Sequence, residues 1–170
     1  MKALLTLILL APIACFASLE ELIGTELVDA KDQPVEISSL EGKVIGLYFS
    51  AEWCPPCRAF TPSLVKLRDR RSDEFEVVFI SSDRSAEDQQ GYMKNYKMRW
   101  PSLPFGSPKR SELSSKFNIS GIPALVIVDS DGNLISRNGR GDMGRSDTDA
   151  RKALRTWQRS AGVADTGDDN

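Results

Sequence analysis

"VIGLYFSAEWCPPC", residues 44–57, constrains the fold of this 170-residue chain more than any other stretch. Val44 to Ser50 is an unbroken apolar run of strand length, the pattern of a strand buried on both faces. Four residues later come two cysteines separated by two prolines. From Pro55 to about Arg71 the pattern turns helical, with Phe60, Leu64 and Leu67 on one face at i, i+4, i+7. Pro55 and Pro56 fit a first helical turn, where a missing N–H is tolerated. Pro62 lies deeper and is expected to kink the helix. The cysteines therefore sit where a central strand gives way to a helix. In open α/β sheets that carboxyl end of the strands is where sites form.

The rest of the chain agrees with a strand–helix alternation. Glu26 to Lys43 reads as two short β-like pieces around a turn at Lys31-Asp32-Gln33. "FEVVFISSD" (Phe75 to Asp83) is a second buried strand. The helix after it has Ser85 as N-cap, with Glu87 and Asp88 in its first turn. "WPSLPFGSP" (Trp100 to Pro108) reads as a proline-rich loop, and Arg110 to Asn118 as a short helix. Ala124 to Val128 and Asn133 to Arg137 form a strand pair around the turn Asp129 to Gly132. A last helix starts near Ser146, with Asp149 as capping-box partner. It carries a stripe of Ala150, Ala153, Leu154 and Trp157, and ends at Gly162. The fold class is α/β with a mixed central sheet. The length suits one domain, over residues 18–162, with 163–170 read as a disordered tail.

The chain has no histidine, which removes His triads, His metal sites and His proton relays. Its net charge of -2 gives no field for nucleic acid. With three cysteines and no second CxxC, a four-ligand zinc site is not expected. "MKALLTLILLAPIACFAS" has an early Lys, an apolar run from Ala3 to Ile13 and then small residues. That is the pattern of a secretory signal peptide over residues 1–17, cleaved near Ala17. A buried N-terminal helix and lipoprotein acylation at Cys15 are the other readings. Cleavage removes Lys2 and no acid, and leaves Cys54 and Cys57 as the remaining thiols. A bridge between them closes so small a loop that it removes little unfolded-state entropy. Redox exchange explains such a pair better than stapling. At the N-cap edge, Cys54 is placed to have its thiol pKa fall below the ordinary value of about 8.5. A thiolate there can attack a disulfide, and Cys57 can then resolve the mixed species.

"FSAEWCPPCRAFTP" resembles the active-site segment of thioredoxin-fold proteins, in particular the tryparedoxin and nucleoredoxin group. "FEVVFISSDRS", "WPSLPF" and "FNISGIPALVIVDSDG" follow in that group's order, so the resemblance runs from about Leu40 to Gly139. It implies a three-layer α/β/α fold and a thiol–disulfide oxidoreductase, here expected to be a reductase of protein disulfides fed by an upstream thiol donor. No cofactor is implied beyond the Cys54–Cys57 pair itself, and no metal. By the same resemblance Cys54 is the attacking thiol, Cys57 the resolving one and Pro123 a cis-proline facing them. Gly121, Ile122 and Pro123 would then receive an extended substrate strand by β-augmentation, and Trp53 would shield one side of the disulfide.

One departure stands out. Where thioredoxin proper has a buried Asp six residues before the first Cys, this chain has Tyr48. Glu52 and Asp83 are the carboxylates left to take the Cys57 proton through water. Two other functions remain in view. A thiol peroxidase needs Thr and Pro just before its reactive Cys, where this chain has Glu52-Trp53. A non-catalytic peptide-binding or chaperone-like module would use the Ile122–Pro123 groove alone. Export would place the protein in a periplasm or outside the cell, as a monomer with no stable membrane contact. The RGD triplet within Gly139 to Asp142 reads as chance in a Gly-rich charged loop.

Overall fold

The computed structural model describes residues 18–163. The signal-peptide reading, Cys15 and nearly all of the expected tail lie outside the described residues. Four strands form the main sheet: β3 (Val44–Ser50), β4 (Phe75–Ser81), β5 (Ala124–Val128) and β6 (Leu134–Ser136), in the order β4-β3-β5-β6. β3 runs parallel to β4 and antiparallel to β5, so the sheet is mixed and β3 is central. All seven residues of both β3 and β4 are buried, Glu76 of β4 through its ion pair with Arg68 and the others chiefly as apolar side chains. A small antiparallel pair, β1 (Leu27–Val28) and β2 (Pro34–Val35), lies upstream and turns through Asp32, whose φ is 60°.

The period-two alternation of the strands sends side chains to two separate cores. Tyr48, Phe75, Val77, Phe79, Leu125 and Ile127 face one layer, made by α2 (Pro55–Arg70), α3 (Ala86–Asn95) and α6 (Asp147–Ala161). Ile45, Leu47, Phe49, Val78, Ile80 and Val126 face the other, made by α1 (Leu19–Ile23) and α4 (Lys109–Lys116). That is the expected three-layer α/β/α arrangement. Gly46 belongs to it by size: a Cβ there would stand 3.0 Å from the Phe75 ring and 3.1 Å from Leu125.

Helix ends follow their sequence signals. Ser85 accepts from the Asp88 N–H. Ser146 and Asp149 close a full capping box on α6, and Gly162 ends that helix at φ 67°. Two segments differ from the sequence reading. The Trp100–Pro108 stretch is only partly a loop. The Phe79 N–H donates to the Pro101 carbonyl and the Leu103 N–H to the Phe79 carbonyl, so this segment lines the outer edge of β4, and Ser102 also bridges Val28. The Gly139 to Asp142 stretch is a helical turn, α5 (Gly139–Asp142), not an open loop. The Asp142 carboxylate accepts from Ser136 Oγ at 2.6 Å and from the Trp157 indole at 3.1 Å, so the RGD acid, though exposed, is engaged by hydrogen bonds to its own fold.

Candidate functional site

β3 delivers the chain to Ala51, a short turn follows, and Cys54 becomes the N-cap of α2 with extended backbone angles (φ -94°, ψ 107°). Pro55 and Pro56 hold the first two helical positions. Neither has an N–H, so Cys57 is the first helical residue able to donate toward the N-cap side chain. Cys54 and Cys57 form a disulfide with Cα atoms 5.2 Å apart. Cys57 is fully buried and Cys54 nearly so, which leaves Cys54 the more accessible sulfur.

The Ile122–Pro123 peptide bond is cis, and the Ile122 carbonyl oxygen lies 3.7 Å from Cys54 Sγ. Ala51, Cys54, Cys57 and Ile122 form a small apolar cluster of their own. Pro123 is buried, Ile122 half-buried and Gly121 exposed. Ile122 thus stands beside the disulfide, with Gly121 and Pro123 as its chain neighbours. Trp53 is half exposed at 50 %, and its indole donates to the Ser82 carbonyl at 3.0 Å. The Arg84 guanidinium sits 6.0 Å from the indole centroid. Pro55 and Pro56 are exposed beside it.

The two candidate carboxylates take different positions. Asp83 is nearly buried: its Oδ1 accepts from the Glu52 N–H at 2.7 Å and its Oδ2 from Ser81 Oγ at 2.7 Å. Burial holds its carboxyl above the usual carboxylate value, although the Ser81 and Glu52 hydrogen bonds oppose the rise. Through the Glu52 N–H it pins the backbone two residues before Cys54. Glu52 points its side chain away, toward Asn95 Nδ2 at 3.1 Å, while its carbonyl accepts from Arg58 at 2.7 Å.

Beneath the disulfide lies a cluster that the sequence did not disclose. Tyr48, Ser50, Thr61 and Tyr92 join their hydroxyls at 2.6 to 3.1 Å. Thr61 Oγ1 donates to the Cys57 carbonyl at 2.9 Å, and Tyr48 reaches the same oxygen at 3.4 Å. Burial, with Tyr92 alongside, pushes the Tyr48 hydroxyl far above the ordinary phenol range. Tyr48 therefore stays protonated and cannot take a proton from Cys57. The polar letters of this cluster are 31 and 42 positions apart across its widest bonds. No periodicity signals such partners; only a Ser ending an apolar strand and a Thr on an apolar helix face hint at them.

A disulfide capping a helix at the end of a central strand, beside a cis-proline, has the geometry that dithiol–disulfide exchange requires. Comparison with known proteins agrees. Residues 42–134 match the family model described as thioredoxin-like. The chain is 42 % identical over 125 residues to nucleoredoxin from Mus musculus, covering 71 % of this chain and 28 % of that one. Thioredoxin from Wuchereria bancrofti superposes with a TM-score of 0.67 at 40 % identity, covering 82 % of this chain and 98 % of that one. Tryparedoxin II from C. fasciculata superposes with a TM-score of 0.63 at 41 % identity, covering 70 % and 80 %.

The chain thus belongs to the thioredoxin-like family, within the group of nucleoredoxins and tryparedoxins. It spans less than a third of the length of the curated nucleoredoxins it matches.

Proposed function

We propose that this protein is a thiol–disulfide oxidoreductase that reduces disulfides in other proteins. The observation that carries the proposal is the Cys54–Cys57 disulfide, capping α2 beside the cis Ile122–Pro123 bond. In the reduced protein the Cys54 thiolate attacks one sulfur of a substrate disulfide. A mixed disulfide forms and one substrate thiolate leaves. Cys57 loses its proton and attacks Cys54 Sγ, which releases the second substrate thiolate and closes the Cys54–Cys57 bond. Two electrons pass to the substrate, and a dithiol donor returns them to the pair. An extended substrate segment pairs with the backbone at Gly121 and Ile122, with Trp53 and Pro123 flanking the reacting sulfurs. Asp83 stands as the nearby carboxyl with a raised proton affinity. Glu52 is the weaker candidate, because its side chain is engaged with Asn95.

A trapping experiment tests these roles. Cys57→Ser should accumulate a covalent adduct with a disulfide-bonded protein, visible by mass spectrometry as one added chain that dithiothreitol removes. Cys54→Ser should accumulate none. An adduct on Cys57 in place of Cys54 would sink the assignment.

We propose further that residues 1–17 direct export and are cleaved near Ala17, and that the mature protein works as a monomer. The support is the early Lys, the apolar run and the small residues that follow. Among the described residues no helix is long and apolar enough to cross a membrane. A mature N-terminus other than one near residue 18, read by mass spectrometry after expression with the leader, would overturn the cleavage site.

A further inference from the structure

A cleft of about 740 Å³ opens between the C-terminal half of α2 and the start of α6. Its wall includes neither cysteine nor the Ile122–Pro123 loop, so the exchange chemistry does not use it. The volume falls in the range of small-molecule sites, about 300–1,000 Å³. Five cations line it: Lys66, Arg70 and Arg71 from the α2 side, Arg145 and Arg151 from the α6 side. Three acids accompany them, Asp73, Glu74 and Asp147, so the wall is net positive on a chain whose total charge is -2. Leu67, Met143 and Ala150, all buried, supply an apolar floor.

The cleft already shows how it treats an anion. Lys66 and Arg70, one turn apart on α2, both pair with the carboxylate of Asp147, the first residue of α6. The α6 N-terminus adds its own positive end to that point. Arg145 and Arg151 are exposed and lie outside the close salt bridges among the described residues, although Arg151 also acts on the Asp147 carboxylate through space. Guanidinium groups in this state suit phosphate, which they bind through two parallel hydrogen bonds. An apolar floor beneath exposed arginines asks for a ligand with both characters.

We propose that this cleft is a second binding site, taking an organic phosphate whose apolar body rests on Leu67, Met143 and Ala150 and whose phosphates are held by Arg145 and Arg151. Asp147 competes for the same space by keeping Lys66 and Arg70 occupied. Its removal therefore frees two more cations for the ligand.

ADP and inorganic phosphate, titrated into the full chain by calorimetry at physiological ionic strength, test the site. ADP should bind saturably and at least about tenfold tighter than phosphate, because phosphate has nothing to set on the apolar floor. The double variant Arg145→Ala/Arg151→Ala should weaken ADP by about tenfold or more, and Asp147→Asn should tighten it by about threefold. Both arginines are exposed, so the fold should survive, with circular dichroism as the check. Should the double variant not fold, Arg151→Ala alone carries the same expectation. The proposal fails if ADP does not saturate, or if the arginine variants bind it as the parent does. It fails also if an Asp/Glu-rich peptide displaces ADP at lower concentration, since the face would then dock a protein segment.

Discussion

Thr61 holds the carbonyl of Cys57 while sharing hydrogen bonds with two buried tyrosines. Replacing it by Val keeps the shape and removes the hydroxyl. Tyr48, Tyr92 and the Cys57 carbonyl would each lose a partner in the core. Each keeps one other partner, so the cost is that of lost hydrogen bonds, about 0.5–1.5 kcal/mol apiece. Thr61→Val should therefore lower the urea midpoint by a loss in that range, and shift the potential of the Cys pair by loosening the first turn of α2. An unchanged midpoint and potential would mean the cluster is idle. Asp83 makes a prediction of opposite kind. Burial raises its carboxyl above 3.8, so the folded state binds this proton more tightly than the unfolded chain does. Its contribution to stability is present below the unfolded value and is lost as pH rises through the folded one. Asp83→Asn keeps an acceptor for the Glu52 N–H and does not titrate. The stability of the variant relative to the parent should thus increase between pH 4 and pH 7; a constant difference would remove Asp83 from the pH response. The cysteines, Trp53 and the prolines were readable because neighbours in sequence are neighbours in the site. The hydroxyl cluster was not, because its members come from β3, α2 and α3 and meet only after folding.

Whole elements were legible where their pattern was strong. β3 announced itself as a continuous apolar run, β4 and β5 as strand-length stretches rich in apolar residues, and α6 as a capped amphipathic stretch. Each lies within two residues of its expected bounds. Pro62 lies inside a single helix, Pro55–Arg70. α5 escaped because four residues with two glycines carry no helical period. Its reason lies in packing: a Cβ on Gly139 would stand 2.8 Å from Ile127 Cδ1 and 3.0 Å from Leu125. The turn can close onto β5 only with glycine at that place. Gly139→Ala should destabilise the protein by about 1–3 kcal/mol in chemical denaturation, the usual penalty of overpacking. A neutral result would show that Ile127 yields freely. The segment along β4 escaped for a different reason. Its hydrogen bonds are isolated bridges among prolines, and prolines argue against a strand.

At the scale of the whole molecule, the two cores share one sheet, so neither face can be lost without the other. The redox pair is mounted on that sheet through the end of β3, and α2 continues from it into the first core. A reductase reading requires the pair to hold its electrons loosely. Equilibrated against glutathione and dithiothreitol, the Cys54–Cys57 couple is expected at or below about -250 mV. A value near about -130 mV would make the protein an oxidant and reverse the proposed direction. The fold family and the exchange chemistry were carried by roughly the 100 residues of the resemblance, while the α2–α6 cleft drew on distant charges that no local pattern linked.

The strip from Pro101 to Leu103 has a further consequence. A bare β4 would be a seven-residue edge, rich in apolar residues on both faces and open to any extended chain. The molecule's own backbone occupies the bonding positions at Phe79, and the opposite margin, β6, is only three residues long. With one margin covered and the other short, the sheet denies an extended foreign chain a place to nucleate fibrils.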